Sequence, residues 1–172
     1  RLHLHHGPID LIIEAFGSPD EVEIAYRQAR DAFNLVLSGL VDELSCIRSS
    51  DVGIYTRTCG PVARLMAQAV APHSNMFVTP MAAVAGSVAD HILAQMVKVR
   101  NLERAYVNNG GDCALFLTSD RACRLGALSQ HDMSAIEISH DNPPSPILDS
   151  FCEISRESPI LSFLLTSRIS FH

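Results

Sequence analysis

The stretch from Val78 to Leu117 constrains this chain more than any other, because it couples a helix of small residues to a glycine turn between two apolar strands. Thr79 reads as an N-cap and Pro80 as a first helical residue, where a missing N–H costs nothing. Met81, Ala85, Val88, Ile92 and Met96 then recur at three- and four-residue steps and form one apolar stripe. Ala82, Ala83, Ala85, Gly86 and Ala89 leave the first turns without bulk. A helical glycine costs roughly 1 kcal/mol against alanine, so Gly86 needs a reason. Close approach of another backbone or of a flat ligand supplies one; tight packing on a sheet supplies another. Asp90 follows Gly86 by four residues and shares its side of the helix.

The second half of the stretch reads as a strand at Arg104–Val107, the turn Asn108-Asn109-Gly110-Gly111-Asp112, and a strand at Cys113–Thr118. Two glycines after two asparagines admit positive φ at little steric cost. Their exposed backbone N–H groups can hold an anion or phosphate, and Asp112 can hold a metal or a ligand hydroxyl. A plain hairpin turn accounts for the same residues, since Asn-Gly between apolar strands is the strongest short hairpin signal. Cys113 beside Asp112 offers a candidate reactive thiol, set against a buried strand cysteine.

The strings VTPMAAVAGSVAD and VNNGGD, with HHGPIDLIIEA and LSGLVDELSCIR upstream, together resemble the ApbE-like proteins, specifically an uncharacterised branch related to the ApbE flavin transferases. The resemblance runs from about Leu2 to Ile138. It implies a single α+β domain of ApbE-like, T-fold-related architecture, a mixed or antiparallel sheet covered by long helices. It further implies a protein that binds a flavin nucleotide, FAD or FMN, with magnesium as metal and FMN transfer onto a protein as the related chemistry. By position it assigns Thr79, Met81, Gly86, Asp90, Asn109, Gly110, Gly111 and Asp112 to cofactor binding. No catalytic residue or metal ligand is assigned, because the later motifs that supply them in that family have no counterpart after Ile138. The expectation is therefore an ApbE-like domain over 1–140 and, over 141–172, a proline-rich linker with a divergent or truncated tail. A non-catalytic domain that associates with itself or a partner is the alternative from a different class.

Elsewhere the chain is read more simply. Leu2–His6 and Ile9–Phe16 are strands around Gly7-Pro8. His3, His5 and His6 invite a metal, yet no cysteine or carboxylate stands at ligand spacing and a metal needs three or four donors. Asp10 interrupts the apolar run and reads as a ligand contact or a turn-proximal acid. Ser18-Pro19-Asp20-Glu21 opens a long helix. Its stripe of Val22, Ala25, Ala29, Ala32, Phe33, Val36, Leu37, Leu40, Leu44 and Ile47 runs to about Arg48, with a kink or split expected at Gly39. Its opposite side, with Glu23, Arg27, Arg30, Asp31, Asp42 and Glu43, reads as solvated. A polar loop at Ser49–Gly60, a helix at Pro61–Ala71, a short strand at Met76–Val78, a turn at Ser119–Arg124 and a strand at Ala135–Ser139 follow. Ile160–Ile169 fits a strand or a short helix.

A net charge of −6 lacks the concentrated basic patch that nucleic acid requires. No run of 18 apolar residues suggests a membrane span. Five scattered cysteines without a Cys-x-x-Cys pair favour reduced thiols. With no export leader legible, the expected compartment is the cytoplasm.

Overall fold

The computed structural model describes residues 1–50, 60–73, 75, 77–98, 101–118, 122–128, 133–139, 160–164 and 169–171, with side chains through 118. The fold is α+β. Strands β1 (Leu2–His6) and β2 (Ile9–Phe16) are followed by α1 (Pro19–Asp42), the single turn α2 (Leu44–Ile47), α3 (Pro61–Val70) and α4 (Val84–Val97). Strands β3 (Arg104–Asn109), β4 (Asp112–Leu117), β5 (Ala122–Leu128), β6 (Met133–Ser139), β7 (Ile160–Leu164) and β8 (Ile169–Phe171) complete the chain. A five-stranded sheet runs in the order β1-β2-β3-β4-β7 and a three-stranded one in the order β6-β5-β8. Every described pairing is antiparallel, so the mixed option falls away.

Alternation along β2 decides which face is core. Leu11, Ile13 and Ala15 are buried and stand opposite Asn109, Val107 and Ala105 of β3. Helices α1 and α4 pack on this face. From α1, the buried Ala25, Ala29, Phe33, Val36 and Leu40 confirm the expected stripe. From α4, Val88, Ile92, Leu93 and Met96 are wholly buried. Each such side chain contributes roughly 1.5–3 kcal/mol by leaving water. The far face of β3 and β4 is not bare either: Tyr106, Cys113, Leu115 and Leu117 are buried there by alternation.

Several local expectations change. The long helix passes through Gly39 and divides at Glu43, whose φ of −104° and ψ of 12° leave the helical region. Glu43 is not simply solvated: its carboxylate accepts the Gly60 N–H at 2.6 Å, tying the end of α1 to the start of α3. Tertiary anchoring, rather than glycine flexibility, sets that boundary. The segment after α3 also differs. Phe77 and Val78 form a bend and an irregular approach, with no ladder partner to make a strand, while Met76 lies outside the described residues. Pro80–Ala83 is a 3₁₀ turn, and the α-helix proper starts at Val84. Thr79 flanks that turn in extended conformation, but its hydroxyl makes no capping bond; its carbonyl accepts the Ala82 N–H at 3.0 Å.

Farther along, Ala122–Arg124 opens strand β5 rather than a turn, held by cross-strand pairing to β6; 119–121 lie outside the described residues. Ile160–Leu164 is a strand on β4, and Ile169–Phe171 is a strand on β5. Two pieces of the expected tail therefore share ladders with the body of the fold. Of the polar loop expected at Ser49–Gly60, 51–59 lie outside the described residues, as does the whole of the linker expected at 141–146. Among the described residues no helix is long and apolar enough to cross a membrane.

Candidate functional site

The β3–β4 hairpin turns on two residues only. Asn109 stands opposite Asp112, leaving Gly110 and Gly111 at φ of 63° and 118°. Positive φ at both central positions is the type I′ arrangement that matches strand twist, which is why glycine occupies both. Asn108, Asn109 and Asp112, expected in the turn, are strand residues. Alternation sends Asn109 and Asp112 toward the helix side and Asn108 and Cys113 away from it.

That direction brings the two unusual motifs together. The Asn109 amide Nδ2 donates to the Ala85 carbonyl at 3.0 Å, although its residue is only 8% exposed. The Asp112 carboxylate lies close enough to the Gly86 backbone for that N–H to favour its charged form. A Cβ placed on Gly86 would meet the Asp112 Oδ2 at 3.9 Å. Gly86 thus faces the hairpin, but an added methyl would have ordinary van der Waals room there, so neither backbone approach nor tight packing on the sheet by itself demands glycine. Asp112 is half-buried; burial raises its carboxyl above the usual range, and the Gly86 N–H offsets part of that. The outcome is a carboxylate at the first turn of α4, partly stripped of water and with acceptor capacity to spare.

The anion-cradle expectation changes. The Gly111 N–H is taken up by the Asn108 Oδ1 at 3.1 Å, so the turn closes on itself. With Asp112 adjacent, this corner suits hydroxyl donors better than phosphate oxygens. Asn108 is the residue that sequence reasoning passed over; an asparagine three positions before the second glycine was the available signal. Gly110 itself is open, with nothing within 4 Å of a built Cβ.

Other assigned residues fare unevenly. Met81 is half-buried and packs against the core, so its side chain is committed to stability. Thr79 is half-buried in the approach to the 3₁₀ turn. Asp90 lies one turn beyond Gly86, half-exposed, on the same side of α4. Cys113 is buried, and burial together with the neighbouring Asp112 charge pushes its thiol up to about 12. A thiol held protonated is a poor nucleophile, which removes the reading of Cys113 as reactive. Among the described residues no three His, Cys, Asp or Glu side chains converge to hold a metal. No donor set for the expected magnesium is thus identified among the described residues.

Comparison with known proteins adds one finding. A family model described as AbpE bacteria matches residues 1–150. No curated protein matches the chain. The family matched is a different one from the ApbE-like proteins, so the resemblance drawn from the sequence is overturned. The strings behind that resemblance are short, and the glycines of one are accounted for by a type I′ turn alone.

Proposed function

The chain belongs to the AbpE bacteria family, and from the geometry of its α4–hairpin corner we propose that it is a flavin-nucleotide binding protein whose ligand sits where the first turns of α4 meet the β3–β4 hairpin. One observation carries the reading: the half-buried Asp112 carboxylate stands against the Gly86 backbone. A small-residue surface lets a flat ring lie against backbone, and an adjacent carboxylate accepts hydroxyl protons from a ribityl or ribose chain. Asn109 clamps the hairpin to Ala85 and keeps the two walls in register. FMN and FAD fit this pairing of flat ring and polyol.

The proposal is one of binding. Group transfer entered only with the resemblance that the family match replaces, and no step of it is part of the reading. A cytoplasmic setting goes with it, on the strength of free thiols at Cys46 and Cys113. The net charge of −6 fits a small-molecule ligand rather than nucleic acid.

Titration of FMN and FAD, followed by flavin fluorescence, tests the reading. Saturable quenching by the wild-type protein, lost in Gly86→Leu and weakened in Asp112→Ala, is the expected result. Unchanged flavin fluorescence throughout, or equal binding by both variants, overturns it. A second reading, a self-associating domain, draws on Phe77, which is 90% exposed just before the 3₁₀ turn. Light scattering of wild type and Phe77→Ser decides that reading; a concentration-independent monomer removes it.

A further inference from the structure

The first hairpin gathers donors that linear spacing keeps apart. Gly7-Pro8 joins β1 to β2 with His6 opposite Ile9, and the register continues His5 opposite Asp10 and His3 opposite Ile12. In a two-residue hairpin the closing pair is hydrogen-bonded. His5 and Asp10 therefore form a non-hydrogen-bonded pair, the kind whose Cα atoms approach to about 4.5 Å. Alternation puts His3, His5 and Asp10 on one face of the sheet, the one turned away from α1 and α4. His6 takes the other face, where its ring meets Phe33 edge-on at 6.4 Å. The Nε2 of His3 already touches the Oδ1 of Asp10 across the diagonal. The side chains of His3 and Asp10 are 60% and 58% exposed, and His5 is exposed beside them.

This supplies the carboxylate that the sequence lacked at ligand spacing. Two imidazoles and one carboxylate are the donor number and type of an open zinc site, with water in the remaining position. In the conformation described the three donors do not converge. All three side chains are exposed, and exposed side chains exchange rotamers in picoseconds to nanoseconds without backbone movement. We propose that this face of the β1–β2 hairpin binds a divalent transition ion of the zinc class through His3, His5 and Asp10. Imidazole nitrogens favour zinc, nickel or cobalt over magnesium or calcium. The site is independent of the flavin reading and lies on the opposite face of the sheet.

The test is a titration of the whole protein with Co²⁺ and Zn²⁺. A saturating cobalt visible spectrum without thiolate charge-transfer bands, and a rise in melting temperature with Zn²⁺, are expected. His3→Ala, His5→Ala and Asp10→Asn should each weaken binding by roughly tenfold or more, and His6→Ala should bind as wild type. Melting curves in chelator show whether each variant is folded; His3→Ala, His5→Ala and Asp10→Asn change exposed side chains and should melt close to wild type, while His6→Ala, which loses the edge contact with Phe33, should still unfold cooperatively. The absence of saturable binding, thiolate bands in the cobalt spectrum, or undiminished affinity in His5→Ala and Asp10→Asn would overturn the proposal.

Discussion

Replacing Asn109 tests whether the hairpin is fastened to α4 by a single amide. In Asn109→Ala the 3.0 Å bond to the Ala85 carbonyl disappears. That carbonyl lies inside α4 and keeps its partner in the helical ladder, so it is not orphaned. The loss is then a net hydrogen bond of about 0.5–1.5 kcal/mol plus a small truncation in a buried place. Asn109→Asp is nearly the same shape but reverses the polarity: an oxygen now faces the carbonyl, and a buried charge stands directly opposite Asp112. An uncompensated buried charge costs about 3–5 kcal/mol. Urea unfolding at neutral pH should therefore rank wild type above Asn109→Ala and Asn109→Asp well below both. For a chain of this size, 1 kcal/mol corresponds to about 2–4 °C in melting temperature. The gap between the two variants should shrink in acid, as the introduced carboxylate takes up a proton. Equal stability of the alanine and aspartate variants at neutral pH would refute the argument, because charge and polarity would then not matter at that position.

Other expectations follow from the same geometry. Gly86→Ala should stabilise the apo protein by up to roughly 1 kcal/mol in helix propensity, since the new methyl meets nothing closer than Asp112 at 3.9 Å; a melting temperature well below wild type would show a contact of a different kind. Cys113, its thiol pushed up to about 12 by burial and by Asp112, should stay unmodified by iodoacetamide at neutral pH in the folded state and react on unfolding, as read by mass spectrometry. Burial would raise the carboxyl of Glu14, but the hydroxyl of Tyr106 at 2.7 Å and the guanidinium of Arg1 outweigh it and hold Glu14 below its ordinary range. A lowered folded value stabilises above the unfolded carboxylate range and is lost as pH falls through the folded one. Tyr106→Phe should accordingly cost about 1–2 kcal/mol at neutral pH and progressively less in acid unfolding curves; a pH-independent cost would contradict this.

Much of this was legible along the chain because it depends on periods and local chemistry. The boundaries of β1 and β2, the Ser18 cap, whose hydroxyl accepts the Glu21 N–H, and the stripe of α1 follow from alternation, helical spacing and capping. The Gly110-Gly111 turn was equally fixed, since only glycine accepts positive φ there without cost. Boundaries set by distant partners were not legible. Glu43 ends α1 because its carboxylate reaches Gly60, and Ala122 begins a strand because β6 lies beside it. The candidate site shows the same division. Sequence alone singled out Gly86, Asn109 and Asp112 as unusual, but the short strings around them misdirected the family assignment. Only the register of β3 on β4, and the packing of α4 above them, put Asp112 on Gly86 and Asn109 on Ala85. Pairing across a hairpin likewise set Asp10 beside His3 and His5, because antiparallel strands make neighbours of residues that sequence distance separates.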